Sequence, residues 1–313
     1  MTAPVRIGTR SSPLAQVQAR QMQAAITRAL GGTPDQVDDL APLVFITTSG
    51  DRIQDRRLLE IGGKALFTKE IEAALIGGAV DCAVHSLKDV PAERQPGLVL
   101  AAFPEREDPR DAFISTRFER FEDLPHGARL GTASLRRAAQ ALHRRPDLEI
   151  VMLRGNVQTR LAKLEAGDCE ATLLALSGLK RLGLEARANQ LFDPVAAPPA
   201  PGQGCLAVET READADAPWA RALRHLETSV SIAAERGALE ALEGSCKTAI
   251  GAYARRDGSD LILTVEALTP DGAARWRREG RVAEARGEPG ARTLGLELGH
   301  AIRLEAGDRL ALH

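Results

Sequence analysis

Arginine and lysine recur where helices should begin. Four stretches read as a strand running into a turn and a helix start: Val5–Pro13 (VRIGTRSSP), Ala83–Pro91 (AVHSLKDVP), Leu130–Arg137 (LGTASLRR) and Val151–Arg160 (VMLRGNVQTR). Ser12, Ser134 and Asn156 stand where capping residues belong, with Ser86 in the corresponding place of Ala83–Pro91. Arg10, Lys88, Arg136, Arg137, Arg154 and Arg160 lie at or beside these turns. A helix N-terminus is the positive end of the dipole and carries unpaired N–H donors, so it favours Asp or Glu. A cation there costs roughly 0.3–1 kcal/mol. Repetition of that cost points to an anion held between the cations and the free N–H groups. Several such turns suit a polyanion with carboxylates or phosphates. Each arginine alone also has a plainer reading as a solvated surface residue, and Arg136 and Arg137 could simply face water.

Two further positions could do chemistry. HSLKDVP places Lys88 beside Asp89 just after a strand-like run. As a surface pair they would form a weak salt bridge. At the carboxyl end of a strand in an open α/β sheet, where ligands bind, Asp89 could instead hold a cationic intermediate and move protons. Cys246, in Gly244-Ser245-Cys246, falls in a loop expected after a helix. It reads either as a small buried hydrophobe or as a reachable thiol suited to covalent attachment. Cys82 and Cys169 lie by strand patterns and fit burial, while Cys205, after Gly202-Gln203-Gly204, fits either reading. No C-x-x-C, H-x-H or H-E-x-x-H pattern is present, so no metal is expected.

The elements that must position these residues emerge from periodicity. Val5–Thr9, Leu43–Thr47, Cys82–His85, Leu98–Phe103, Arg129–Gly131, Ile150–Leu153 and Thr172–Leu176 are strand-like. Leu14–Leu30, opened by Pro13 at the first helical position, and Thr68–Ile76, stopped by Gly77-Gly78, are helical. This βαβ alternation predicts sheets with parallel strands covered by helices on both faces. Ala102–Asp111 (AFPEREDPRD) and Pro194–Gly204 (PVAAPPAPGQG) read as hinges or boundaries. Beyond residue 218, Ala233–Leu242 is helical, Asp260–Ala267 and Ala273–Arg281 flank a Thr-Pro-Asp-Gly turn, and Arg292–Leu304 closes as a helix. Gly50–Phe67 reads either as a mobile active-site loop or as an ordinary exposed loop before a helix.

Composition bounds the rest. A chain of 313 residues exceeds one ordinary core and predicts two or three domains. Apolar content of 44% and charged content of 27% fit a globular protein. A net charge of −2 means that any anion site concentrates its cations locally. Aromatics at 3% argue against stacking platforms for single-stranded nucleic acid. MTAPVRIGTR lacks an apolar signal core and no run reaches 18 apolar residues, so a cytoplasmic protein is expected.

Ordered motifs along nearly the whole chain resemble the porphobilinogen deaminase (hydroxymethylbilane synthase) family. They are IGTRSSPLA (7–15), GGKALFTKE (62–70), AVHSLKDVP (83–91), EREDPRDAF (105–113), GTASLRR (131–137), LRGNVQTRL (153–161), SGLKRLG (177–183), PGQG (201–204) and ERGALEALEGSC (235–246). The resemblance implies an α/β fold: two lobes with mixed sheets, like those of periplasmic binding proteins, plus a small α+β C-terminal domain. The expected division is 1–101 with 197–217, then 102–196, then 218–313. It implies a transferase of tetrapyrrole (porphyrin and haem) biosynthesis that joins four porphobilinogen units head to tail, releases ammonia, and hydrolyses the product to hydroxymethylbilane. Its dipyrromethane cofactor, one per chain, would be held by a thioether to Cys246. Asp89 matches the catalytic carboxylate. Lys88, Thr132, Ser134, Arg136, Arg137 and Arg160 match cofactor-binding positions, and Arg10, Ser12, Arg154, Asn156, Arg181 and Gln203 match substrate-binding ones. No metal, nucleic acid or membrane is implied, and a monomer is expected. Ser245, Ala249 and Ala133 depart from the family's pattern. The rival from another class is a non-catalytic two-lobed polyanion-binding protein, which leaves the Cys246 loop unexplained.

Overall fold

In a computed structural model the chain is described at residues 3–49, 68–242, 249–283 and 286–310. The Gly50–Phe67 loop and Cys246 lie outside these residues. The chain divides into two compact units. Among the described residues it passes from the first to the second between Glu107 and Asp108, returns between Gln203 and Gly204, and leaves again between Ser229 and Val230.

The first unit is built on a five-stranded sheet ordered β2-β1-β3-β10-β4. Its strands are β1 (Ile7–Thr9), β2 (Leu43–Phe45), β3 (Cys82–Ser86), β4 (Leu98–Ala102) and the late strand β10 (Leu206–Arg211). β1 runs parallel to β2 and β3, while β10 is antiparallel to β3 and β4. Side chains alternate across the sheet. Cys82 and Val84 join Ile7, Met22, Ile26, Val208 and Trp219 in one core, and Ala83 joins Ile71, Leu75 and Val80 in another. Helix α1 (Pro13–Ala29) supplies Met22 and Ile26, and α2 (Lys69–Ile76) supplies Ile71 and Leu75. Helices therefore cover both faces, as the apolar periodicity predicts.

The second unit holds two sheets. The larger, ordered β7-β6-β8-β5-β9, comprises β5 (Asp111–Ser115), β6 (Arg129–Gly131), β7 (Glu149–Val151), β8 (Ala171–Ala175) and β9 (Gln190–Leu191). β6 is parallel to β7 and β8, and β5 is antiparallel to β8 and β9. Phe113 points into a core with Phe121, Leu130 and Phe192, while Ala112 and Ile114 point into one with Leu153, Leu161 and Leu179. Helices α3 (Leu135–Arg144), α4 (Val157–Glu165) and α5 (Leu176–Arg181) come after β6, β7 and β8.

The second sheet is the antiparallel meander β11 (Ala249–Asp257), β12 (Asp260–Leu268) and β13 (Arg275–Ala283). Its apolar side chains pack with α6 (Leu226–Ala241) and α7 (Gly287–Ala306) around Val230, Ala238, Leu263 and Ile302. The two helices approach closely: a Cβ on Gly295 would sit 2.0 Å from the Ala234 carbonyl oxygen. The chain is thus a mixed α/β protein of two sheet-rich lobes with a small C-terminal sheet-and-helix domain. No described helix is long and apolar enough to cross a membrane.

The Pro/Gly stretch before β10 is packed rather than exposed. Ala197–Pro199 and Pro201–Gly204 are buried, and the Pro199 carbonyl accepts from the Ala252 N–H at 2.9 Å.

Candidate active site

The expected residues sort to one edge of each sheet. In the first unit β1 and β3 are adjacent and parallel, so the residues just past their ends emerge together at the carboxyl edge, where open α/β sheets take ligands. Arg10 lies just after β1, half-buried. Lys88 and Asp89 lie just after β3, exposed on a 3-10 turn at Leu87–Asp89. Ser12 caps α1, its Oγ accepting from the Ala15 N–H at 3.4 Å, with Pro13 at the first helical position and no acidic residue in the first turn.

Ser86 does not cap its turn. Its side chain makes no capping bond, and its hydroxyl pairs instead with the Gln18 amide at 2.8 Å. Beneath the turn the strand end is pinned from inside. His85 Nε2 lies 2.9 Å from Glu209 Oε2 on β10, and Arg94 pairs with the other carboxylate oxygen. His85 and Glu209 are buried.

In the second unit β6, β7 and β8 are parallel, and the segments leaving them gather at that sheet's carboxyl edge. After β6 come Thr132 and Ser134. Thr132 is buried, and its Oγ1 accepts from the Ser134 N–H at 3.1 Å. Ser134 caps α3 by accepting from the Arg137 N–H at 3.4 Å. After β7 come Arg154, half-buried, and Asn156, which caps α4 by accepting from the Thr159 N–H at 2.9 Å. Gly155 between them has φ +121°, and a Cβ there would lie 2.6 Å from Thr159 Cγ2, so the turn requires glycine. Arg160 Nε donates back to the Gly155 carbonyl at 2.8 Å. After β8 comes α5, which ends on half-buried Arg181. Neither α3 nor α4 has an acidic residue in its first turn.

Arg136 and Arg137 do not face water. Both are 5% exposed. The anion beside them is the protein's own Asp111, the first residue of antiparallel β5, which enters the sheet at this same edge opposite Ala175. Arg136 Nη1 donates to Asp111 Oδ2 at 2.7 Å, and Arg137 Nη2 to Asp111 Oδ1 at 2.7 Å. Arg137 Nη1 also donates to the Leu173 carbonyl at 2.9 Å. Gln203, 1% exposed, donates to Asp111 Oδ1 at 2.9 Å and to the Pro109 carbonyl at 2.6 Å. Burial alone would raise the Asp111 carboxyl. The charges and hydrogen bonds of Arg136 and Arg137 outweigh it and hold the group well below the usual carboxylate range. Burial in turn lowers Arg136.

Two buried guanidinium groups share one carboxylate, which leaves excess positive charge at the edge. Among the described residues, Arg136 Nε is buried with no hydrogen-bond partner. An unsatisfied buried donor is expensive unless a partner is supplied. Together with the Thr132 and Ser134 hydroxyls it fits an acidic group. Asp111 carries no role in the sequence reading, although it lies in EREDPRDAF. Its signal is an acidic residue opening an apolar run, the position from which a side chain enters a sheet edge.

The chain is similar throughout to known proteins. Residues 5–218 match the family model "Porphobilinogen deaminase, dipyromethane cofactor binding domain", and residues 230–303 match "Porphobilinogen deaminase, C-terminal domain". A porphobilinogen deaminase of Caulobacter sp. strain K31 is 65% identical over 99% of this chain and 98% of its own length. One of Phenylobacterium zucineum is 62% identical over 98% of each. Among solved structures, the methionine-binding protein MetQ is 15% identical over 72% of this chain and 92% of its own, with a TM-score of 0.45.

Proposed function

This chain belongs to the porphobilinogen deaminase family, and from that premise we propose how its residues divide the work. The reaction is that of a transferase: porphobilinogen units are joined head to tail with loss of ammonia, and the linear tetrapyrrole is released by hydrolysis. A dipyrromethane linked through Cys246 Sγ supplies, when bound, an electron-rich pyrrole carbon for the first incoming unit and carboxylates for the protein to grip. Lys88, Thr132, Ser134, Arg136, Arg137 and Arg160 hold those carboxylates. Arg10, Ser12, Arg154, Asn156 and Arg181 receive the acetate and propionate of the substrate; Gln203, expected among them from the resemblance, instead spends its amide hydrogens on Asp111 and the Pro109 carbonyl and holds that carboxylate in place. Arginine suits this task because its planar fork matches a carboxylate bidentately.

Asp89 has a separate role. Departure of ammonia leaves the substrate pyrrole electron-poor and cationic, and an adjacent carboxylate stabilises that charge. Asp89 also accepts a hydrogen bond from pyrrole N–H and helps move protons as the C–C bond forms. The polyanion-binding alternative has no use for such a carboxylate, which would repel its ligand.

The observation that carries this reading is the collection of Thr132–Arg137, Arg154–Arg160 and Arg181 behind three parallel strands, with the buried Arg136 Nε left over. The test is intact mass of the purified chain under denaturing conditions, with peptide mapping. An adduct equal to two deaminated porphobilinogen units on Cys246, absent from Cys246→Ser, is expected. An unmodified chain that gains no adduct when given porphobilinogen would return the protein to the anion-binding class.

A further inference from the structure

We propose that Glu266, acting through Gln140, is a positioning residue that sets the guanidinium of Arg136 for its ligand. It thereby ties the three-stranded C-terminal sheet to the carboxyl edge of the larger sheet in the same unit. The proposal rests on the reading that Arg136 holds a cofactor carboxylate.

Gln140 lies one helical turn after Arg136 on α3, so the two side chains meet. Gln140 Oε1 accepts from Arg136 Nη1 at 2.8 Å, while Gln140 Nε2 donates to Glu266 Oε1 at 2.8 Å and to the Pro198 carbonyl at 3.0 Å. Arg136 Nη1 reaches the same carbonyl at 3.3 Å. Arg136, Gln140 and Glu266 are all buried.

A glutamine amide can turn either way, but its neighbours here allow one sense. An ionised carboxylate and a backbone carbonyl only accept, and a guanidinium only donates. The NH2 group must therefore face Glu266 and Pro198, and the oxygen must face Arg136. The reverse would set oxygen against oxygen and donor against donor. The second oxygen of Glu266 is taken by Arg275 Nε at 2.7 Å, which holds the carboxylate in place. The Pro198 carbonyl is seated against β11, where a Cβ on Gly251 would come within 2.4 Å of it. With Nη1 held by Asp111, Gln140 and Pro198, the guanidinium plane is set and its unsatisfied Nε has a defined direction. Glu266, on β12 of the C-terminal sheet, is thus the acceptor that orders a residue of the anion-holding edge.

The test uses the full-length chain produced without a supply of porphobilinogen and then given it. The rate at which intact mass gains the covalent adduct is recorded beside the urea midpoint of each variant. Glu266→Gln is nearly isosteric, but it replaces the charged acceptor that holds the Gln140 NH2 with a neutral amide that can also donate, loosening the grip on Gln140. Adduct formation is expected to slow about ten-fold, the equivalent of about 1.4 kcal/mol. Gln140→Met is expected to give the same fall, so the proposal stays testable should Glu266→Gln fail to fold. In the Gln140→Met background, adding Glu266→Gln should slow adduct formation no further, because the path to Arg136 is already cut. Adduct formation at the wild-type rate in Glu266→Gln, or two effects that simply add, would overturn the proposal. A purely structural role would lower the urea midpoint and leave the folded fraction loading normally. Failure of the unsubstituted chain to load would instead count against the functional reading.

Discussion

Asp111→Asn isolates the buried charge at the carboxyl edge of the second unit. The substitution keeps an acceptor oxygen. It removes the one carboxylate that, among the described residues, bonds to both Arg136 and Arg137, which stay buried. Breaking a buried ion pair by deleting one partner costs about 3–5 kcal/mol, since an uncompensated charge remains. Asp111 is almost fully enclosed, its side chain 3% exposed, so solvent screening relieves little of this. With a urea slope of about 3 kcal/mol/M, the midpoint should fall by about 1–1.7 M. The chain has two tryptophans, and each reports on one unit: Trp219 in the first core and Trp276 in the second unit. In a Trp219→Phe background, Trp276 fluorescence tracks the second unit alone. The pH dependence has a definite sign. Because the folded carboxyl is held well below its unfolded value, its contribution is complete above the unfolded pKa of about 3.9 and is lost as pH falls beneath it. The gap in midpoint between the unsubstituted chain and Asp111→Asn should therefore be constant from about pH 5 to 7 and close below about pH 4. A midpoint shift under about 0.3 M at pH 7, equivalent to about 1 kcal/mol at the same slope, would refute the triad as a structural charge cluster.

Three other outcomes are expected. Asn156→Ala removes the cap of α4 and should lower the stability of the second unit by about 1 kcal/mol in the Trp276 urea curve. Gly155→Ala forces a side chain into a positive-φ position against Thr159; it should destabilise by more than about 1 kcal/mol and slow adduct formation, because Arg154, Asn156 and Arg160 flank the turn. Asp89→Ala should leave the Cys246 adduct detectable by mass yet lower tetrapyrrole formation by about 10²–10⁴-fold, and near-normal turnover would remove Asp89 from catalysis.

Much of the fold is readable along the chain because apolar periodicity survives in its parallel strands. Cys82–Ser86 and Arg129–Gly131 stand within a residue of where their patterns place them, and the Thr-Pro-Asp-Gly turn does join β12 to β13. Among the antiparallel strands that escape that reading are Asp111–Ser115, Leu206–Arg211 and Ala249–Asp257. Each carries residues that a strand pattern discourages. Asp111 and Glu209 are buried carboxylates, tolerable only because Arg136 and Arg137 meet one while His85 and Arg94 meet the other. Gly251 weakens β11 locally, yet its missing side chain is what admits the Pro198 carbonyl. In each case the compensating group comes from far along the chain, so no local window contains both halves.

The same limit explains the arginines at the helix starts. Local physics correctly marks a cation in the first turn of α3 as unfavourable and infers an anion nearby. It cannot say whose anion. Asp111 lies 25 residues from Arg136 in sequence and arrives through strand pairing rather than through the helix. A single carboxylate between two guanidinium groups also changes what the inference means. Neutralising both cations within the protein would leave no reason for an acidic ligand to bind there; leaving both bare would make the folded state expensive without ligand. One shared carboxylate does neither. It keeps the pair buried and ordered while retaining one positive charge beyond that carboxylate and the unsatisfied Arg136 Nε, the remainder on which the proposed grip of a ligand carboxylate rests.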